Sequence, residues 1–223
     1  MEKKKIFVVE DHPIFRLGIS ELINQEEDLA VCGGAESVYQ AMHEINRLNP
    51  DLLIVDISLK NSDGIDLVKE IHNQRKDLPM LILSMHDEFL YAERALRAGA
   101  RGYIMKEEAM ESVVFAIRQV LAGNLYFNDR VKEHILFQLS GDSGAADTDP
   151  IKRLTNRELE VFRLIGRGYS TRDIAGKLNL SIKTIGTYRE RIKEKLGLRN
   201  ATELVRLAVH WENTTKIKPS VQV

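Results

Sequence analysis

The sequence is poor in several things, and each shortage excludes something. A single cysteine, Cys32, among 223 residues rules out an intramolecular disulfide framework and a cysteine metal cluster, and fits a reducing compartment. Within the apolar run LAVCG it reads as a small buried strand residue. The apolar run behind MEKKK stops after four residues (IFVV) at Glu10 and Asp11, too short for a secretory signal. No other stretch approaches the roughly 18 apolar residues of a membrane span. A soluble, cytoplasmic protein is therefore expected. His12, His43, His72, His86, His134 and His210 do not cluster at ligand spacing, so no transition-metal site is expected. GGAE and GRG lack the Walker and dinucleotide patterns, so no glycine-rich phosphate loop is present.

The net charge is only −1, but it is unevenly spread: residues 1–140 carry 16 Lys+Arg against 23 Asp+Glu, and the remainder carries 16 against 10. The halves are thus built for different partners, and the basic excess of the second permits nucleic acid without requiring it. A chain of this length is long for one typical domain and short for three.

In the first half KIFVV, LAVCG, LLIVD, MLILS and GYIM suit short buried parallel strands. Between them lie amphipathic stretches. Phe15, Ile19, Leu22 and Ile23 share a helical face, as do Val113, Ile117, Val120 and Leu121. Five β/α units make an α/β domain with a doubly wound five-stranded parallel sheet, whose functional crevice lies at the carboxyl ends of the strands. A further amphipathic piece follows (Val131, Ile135, Leu136, Leu139), and SGDSGAADTDP then reads as a flexible linker.

From Leu154 onward the sequence is helical, with legible starts. Thr155 with Glu158, Ser170 with Asp173 and Asn200 with Glu203 place a capping oxygen three residues before an acid, and Ser181 caps a further helix. Leu154 with Leu159, Tyr169 with Ile174 and Leu180 with Ile185 stand in staple positions. The expectation is an all-α four-helix domain whose second and third helices are joined by a short turn around Asn179 and Leu180. Such pairs include the DNA-reading helix-turn-helix and also ordinary αα corners. The expected boundaries are a first domain over 1–125, a linker with a short helix over 126–150, the helical domain over 151–213 and a flexible tail over 214–223.

Three strands end in polar residues: Glu10 and Asp11, Asp56, and Ser84. Carboxylates gathered in one crevice repel unless a cation intervenes, and hard oxygen donors suit Mg²⁺. Lys106 follows the fifth strand directly and brings a point charge suited to a phosphoryl oxygen. A carboxylate nucleophile, Mg²⁺ and donors for the equatorial oxygens suffice to form an acyl phosphate on Asp56.

KIFVVEDHP, LLIVDISLKNSDGIDLVKEI, LILSMHDE and AGARGYIMKEEA resemble, over residues 3 to about 123, the receiver domain of two-component response regulators. The resemblance implies that Asp56 is the phosphoacceptor. It implies that Glu10 and Asp11 join Asp56 in binding Mg²⁺, with the Ser58 backbone carbonyl as a further ligand, and that Lys106 contacts the phosphoryl group. Ser84 and Tyr103 would form the switch pair. Glu-Asp stands where Asp-Asp is common, and Ser84 where Thr is common.

LTNRELEVFRLIGRGYSTRDIAGKLNLSIKTIGTYRERIKEKLGLRNATELVRLAV resembles the DNA-binding domain of LuxR-type regulators of the NarL/FixJ class. On the helix starting at Ser181, Ile185, Tyr188, Ile192 and Leu196 form the core side by spacing. The opposite arc carries Lys183, Thr187, Glu190, Arg191 and Glu194, a mixture of donors and acceptors suited to a major groove. Arg189, Lys193 and Lys195 flank it as candidate phosphate contacts, although Glu194 and Lys195 read better as a solvated helix end. The base-reading positions implied by the resemblance are Gly186, Thr187 and Glu190, with Thr184 beside them. Gly186 departs from the larger polar residue often found there, for reasons of close backbone approach or relaxed selection. On the last helix Leu204, Leu207, Ala208 and Trp211 share a face, and the resemblance makes this helix the dimer contact on DNA.

Both resemblances imply a transcription regulator that a sensor histidine kinase phosphorylates, that dimerises on promoter DNA, and that works with RNA polymerase. It would be no turnover enzyme on small molecules. Two alternatives differ in class. A haloacid-dehalogenase-type phosphohydrolase would need a second acid two residues after Asp56, where Ser58 stands. A helical domain that binds RNA polymerase instead of DNA, as in sigma factors, would show no salt-dependent retention of duplex DNA.

Overall fold

The computed structural model describes residues 2–59, 62–85, 88–129, 131–133 and 150–216. Ile135, Leu136 and Leu139, His86 and His134, residues 130 and 134–149 of the expected linker and the tail beyond residue 216 lie outside the described residues. The chain divides into two compact units, residues 1–143 and 144–223.

The first unit contains β1 (Lys4–Val9), α1 (Pro13–Asn24), β2 (Leu29–Ala35), α2 (Val38–Leu48), β3 (Leu52–Asp56), α3 (Gly64–Gln74), β4 (Met80–Ser84), α4 (Glu88–Ala98), β5 (Gly102–Met105) and α5 (Ala109–Leu121). The five apolar runs are the five strands. All pair in parallel in the order β2-β1-β3-β4-β5. Ile6, Phe7, Val8 and Val9 are buried on both faces, which is why β1 reads as an unbroken apolar run instead of an alternating one. Ile19 and Ile23 of α1 and Val113, Ile117 and Val120 of α5 are buried against one face of the sheet, with Phe15, Leu22 and Leu121 partly buried beside them. Each such fully buried aliphatic side chain contributes about 1.5–3 kcal/mol. β1 lies between β2 and β3, so the winding reverses beside it, and the crevice opens where β1 ends at Val9 and β3 at Asp56.

The chain after α5 does not leave the sheet at once. Tyr126 donates its N–H to the Arg101 carbonyl at 2.9 Å and accepts from Tyr103 N–H at 2.8 Å, and Asn128 N–H donates to Glu88 Oε1 at 2.7 Å. Residues 126–128, expected as the start of a linker, are thus tied across the edge of β5 to the first residue of α4.

The second unit begins with a 3₁₀ turn at Pro150–Arg153, followed by α6 (Asn156–Gly166), α7 (Thr171–Lys177), α8 (Ile182–Leu196) and α9 (Ala201–Lys216). The capping boxes of Thr155 with Glu158 and of Ser170 with Asp173 are complete, and Ser181 Oγ accepts Thr184 N–H at 3.0 Å. Asn200 accepts Glu203 N–H at 2.9 Å, while the Glu203 carboxylate reaches one residue further back, to Arg199 N–H. α7 and α8 are joined by a short turn in which Asn179 takes the left-handed conformation, φ 52°. Phe162 packs edge-on against Trp211, ring centroids 5.7 Å apart. α9 runs to Lys216, and Thr214 Oγ1 donates to the His210 carbonyl at 3.0 Å, so the first three residues of the expected tail are helix. No helix among the described residues is long and apolar enough to cross a membrane.

Candidate functional site

Glu10, Asp11, Asp56, Ser84 and Lys106 are all buried, although every one is polar. The strand ends place them. Glu10 and Asp11 follow β1, Asp56 and Ser84 close β3 and β4, and Lys106 follows β5, its N–H donating to the Ser84 carbonyl at 2.8 Å. Donor atoms of Glu10, Asp11, His12 and Asp56 lie within 4.8 Å of one another. Lys106 Nζ stands 2.5 Å from Glu10 Oε2 and 2.9 Å from Asp56 Oδ2, ion-pair distances to both acids. Its ammonium lies 4.8 Å from the centroid of the Phe15 ring, a cation–π contact that holds it over the crevice.

One ammonium does not balance three carboxylates. Asp56 is 1% exposed, and burial pushes its carboxyl up to about 6; Lys106 opposes that rise and Glu10 adds to it by repulsion, while the Ser58 N–H favours the ionised form. Asp11 Oδ1 is likewise buried without a hydrogen bond. Two of these carboxylates share the single Lys106 ammonium and Asp11 faces the His12 ring, so a surplus of negative charge is buried in one crevice, and it fits a hard divalent cation.

Three supporting contacts were not legible from spacing. Arg16 donates to the Glu10 backbone carbonyl and pairs with Glu36 at 2.8 Å, fixing the turn that carries both acids. Gly64, at the start of α3, leaves room for the backbone of Asp56: a Cβ there would stand 1.9 Å from the Asp56 carbonyl oxygen. His12, set aside for want of neighbouring histidines, meets carboxylates instead, its Nδ1 3.0 Å from Glu10 Oε1 and 2.9 Å from Asp11 Oδ1. The available signal was its adjacency to the acidic pair. Ser58 follows two residues after Asp56 and is half-buried. Tyr103 is buried in β5, its ring inside the unit.

On α8 the spacing is followed closely. Ile185 and Ile192 are buried, Tyr188 and Leu196 partly so, and Lys183, Thr187, Glu190, Arg191 and Glu194 are exposed. Arg189 is half-buried, and Thr184 is held at the cap by the Ser181 hydroxyl at 2.8 Å. Two of the expected phosphate contacts have protein partners: Lys193 pairs with Glu190 at 2.8 Å, and Lys195 with the buried Glu158 at 2.6 Å. Lys195 is therefore not a solvated helix end. It ties α8 to the cap of α6, because Glu158 has one carboxylate and needs a counter-charge when buried. A Cβ on Gly186 would meet nothing within 4 Å, so packing within the unit does not require a glycine there.

On α9 the expected contact face is turned inward. Leu204 and Ala208 are fully buried, Leu207 and Trp211 partly, and buried Glu212 pairs with Arg167 at 2.7 Å. The large apolar residues left on the outside are Val205, 39% exposed, and Val209, 36% exposed, one turn apart. The seven-residue spacing of Leu204 and Trp211 marks a face, and the small unit needs that face for its own core.

A doubly wound sheet with buried acids and a lysine at its carboxyl edge, followed by a capped helix-turn-helix unit, defines the two-domain response regulators. Residues 6–118 match the response regulator receiver domain, and residues 152–208 match the bacterial regulatory proteins of the luxR family. The chain belongs to the LuxR family of response regulators, with a receiver domain and a DNA-binding domain. It is 34% identical over 210 residues to the oxygen regulatory protein NreC of Staphylococcus epidermidis, covering 92% of this chain and 96% of that one. NreC of Staphylococcus aureus is 34% identical over 209 residues with the same coverage. Among solved structures, RcsB of Salmonella typhimurium is similar at 28% identity and a TM-score of 0.60, over 94% of this chain and 98% of that one. RcsB bound to a promoter in the presence of the phosphomimetic BeF₃⁻ gives 28% identity and a TM-score of 0.58, over 94% of this chain and all of that one.

Proposed function

We propose that Asp56 accepts a phosphoryl group from a partner histidine kinase and that this controls promoter binding by α8. The observation that carries the reading is the set of buried carboxylates at the ends of β1 and β3 that share one ammonium, Lys106. An Asp56 carboxylate oxygen attacks phosphorus, the phosphorus–nitrogen bond of phosphohistidine breaks, and the imidazole leaves with the bonding pair. Glu10, Asp11, Asp56 and the Ser58 carbonyl would hold Mg²⁺, which when bound supplies charge neutralisation and a Lewis acid for a phosphoryl oxygen. Lys106 stays beside Asp56 and binds a second equatorial oxygen, and the Ser84 hydroxyl a third. Tyr103, buried on the neighbouring strand β5, follows its movement. The domain performs one transfer per activation and is no turnover enzyme on small molecules.

On the output side Lys183, Thr184, Gly186, Thr187, Arg189, Glu190, Arg191 and Lys193 face the DNA. Dimers on paired half-sites form through the exposed Val205 and Val209, since Leu204 and Ala208 are enclosed in their own domain. RNA polymerase is the further partner and the cytoplasm the place of action. The receiver extends through residue 128, and the helical domain spans 150–216.

Incubation with a radiolabelled acyl-phosphate donor tests the input step. The wild-type chain takes up label with Mg²⁺ and dimerises; Asp56→Asn does neither. Labelling of Asp56→Asn at the wild-type level would refute the assignment.

A further inference from the structure

The three positions expected to read bases offer little to read them with. Gly186 has no side chain. Thr187 Oγ1 donates to the Lys183 carbonyl at 3.2 Å, so its hydrogen is used within the helix. Glu190 has Lys193 as its counter-charge at 2.8 Å, and its carboxylate is repelled by phosphate. Hydrogen bonds from these groups discriminate bases weakly. The major groove carries one further signal, the C5-methyl of thymine, which is the apolar group among its base edges.

The matching group on the protein is Ile182, the first residue of α8 and 53% exposed. Its place is set by the cap, where Ser181 Oγ accepts Thr184 N–H at 3.0 Å and holds the first turn. Helical side chains lean toward the N-terminus, so a residue four positions further on normally covers the one before it. Here that residue is Gly186, where even a Cβ would meet nothing within 4 Å. Gly186, which no packing within the domain requires, thereby bares the isoleucine and leaves room for a base edge over it.

The charges around Ile182 name the occupant. Lys183 and Arg191 are exposed on the same helix, and residues 141–223 carry 16 Lys+Arg against 10 Asp+Glu, a balance that draws a polyanion. In helix-turn-helix proteins the N-terminal residues of the second helix are those that reach base edges. We propose that Ile182 is a specificity-determining residue, its side chain packing on a thymine C5-methyl in the major groove and selecting an A·T pair at one position of each half-site. The proposal rests on α8 being the helix that faces DNA.

The test selects random duplexes on the full-length chain after acyl-phosphate treatment with Mg²⁺ and measures affinity for the selected site. Each thymine is then replaced singly by deoxyuridine, which keeps the hydrogen-bonding groups of the base and lacks the methyl. For the wild type, one such replacement per half-site weakens binding about fourfold, the worth of one buried methyl. Ile182→Ala melts with the wild type, binds the thymine site more weakly and no longer distinguishes the two bases there. Thr187→Ser, which removes the neighbouring methyl group and keeps the hydroxyl, still distinguishes them. Sensitivity that persists in Ile182→Ala, or that Thr187→Ser abolishes, overturns the assignment to Ile182. Indifference of the wild type to every replacement overturns the methyl contact while leaving α8 as the DNA-facing helix. Selection of no sequence by the wild type overturns base reading by α8 as well.

Discussion

Gly64 offers a severe test of how the phosphoacceptor is held. A Cβ at this position would stand 1.9 Å from the Asp56 carbonyl oxygen, 2.8 Å from its carbon and 3.0 Å from Ile57 Cα. All three neighbours are backbone, so no change of rotamer relieves the overlap, and Gly64 N–H is bonded to the Ile57 carbonyl at 2.9 Å. Against this stands the helix preference of alanine, at most about 1 kcal/mol and less in a first turn. Overpacking costs about 1–3 kcal/mol, and a backbone clash belongs at the upper end, so Gly64→Ala is expected to lose about 2 kcal/mol. Because the moved atoms include Asp56 itself, its carboxylate leaves its place 2.9 Å from Lys106, and labelling falls with stability. Gly186→Ala is the counterpart: nothing lies within 4 Å of its Cβ, in the middle of α8. That variant gains up to about 1 kcal/mol, raising the melting temperature of its domain by about 4–8 °C. Calorimetry of the full-length chain, with separate transitions for the two units, and acyl-phosphate labelling read both. If Gly64→Ala melts and labels like the wild type, the backbone at Asp56 is looser than its contacts imply and the reasoning fails.

Glu158 is pulled toward a higher pKa by burial, but the Lys195 ammonium and the Thr155 N–H outweigh this and hold its carboxyl below the usual carboxylate range. A depressed folded pKa contributes stability above the unfolded value that is lost as pH falls through the folded one. Glu158→Gln keeps the capping oxygen and loses the charge. It should therefore cost about 0.5–1 kcal/mol at neutral pH, with the gap to the wild type closing below about pH 4; a gap that persists in acid would refute the ion-pair account. Val205→Asp and Val209→Asp should leave the melting of the helical unit within about 0.5 kcal/mol of wild type while weakening cooperative binding to paired half-sites. Leu204→Asp should unfold the unit, and gel shifts on one and two half-sites separate these outcomes.

The strands and the acid cluster were legible because both are local statements: an unbroken apolar run means a doubly buried strand, and a polar residue at its end means a group at the crevice. α8 was legible for the same reason, Ile185 and Ile192 marking the buried side and the charges the other. Long-range pairing was not. Lys195 reads as a solvated end until α6 brings the buried Glu158 to 2.6 Å. Leu204 and Ala208 read as a contact face until α6 takes it. The room left by Gly64, the reach of Arg16 to the Glu10 carbonyl and the meeting of His12 with two acids each depend on where a turn carries the chain, which composition and period do not encode.

The strap across β5 was hidden for a related reason, since GNLYFN has the appearance of a turn leading into a linker, and it bears on how the receiver is read out. Asn128 N–H donates to Glu88 Oε1 at 2.7 Å, Glu88 opens α4, and Ser84 ends β4 just before it. If Ser84 shifts toward a phosphoryl oxygen as proposed, Glu88, four residues along the chain, is expected to move with it, and Glu88 holds the chain at Asn128. Phe127 is buried and Tyr126 meets Phe115 edge-on at 6.0 Å, so the strap is packed as well as hydrogen-bonded. Glu88→Ala removes one charge-assisted hydrogen bond at an exposed site, a loss of about 1 kcal/mol, and leaves the crevice intact. Labelling of Asp56 should stay at the wild-type level, amide exchange at Asn128 should rise several-fold (about 1.4 kcal/mol being tenfold), and the gain in DNA affinity on phosphorylation should shrink. Unchanged exchange at Asn128 would show that the strap is held without Glu88, by the Tyr126 backbone bonds and its packing, and Glu88 would then have no part in transmitting the signal.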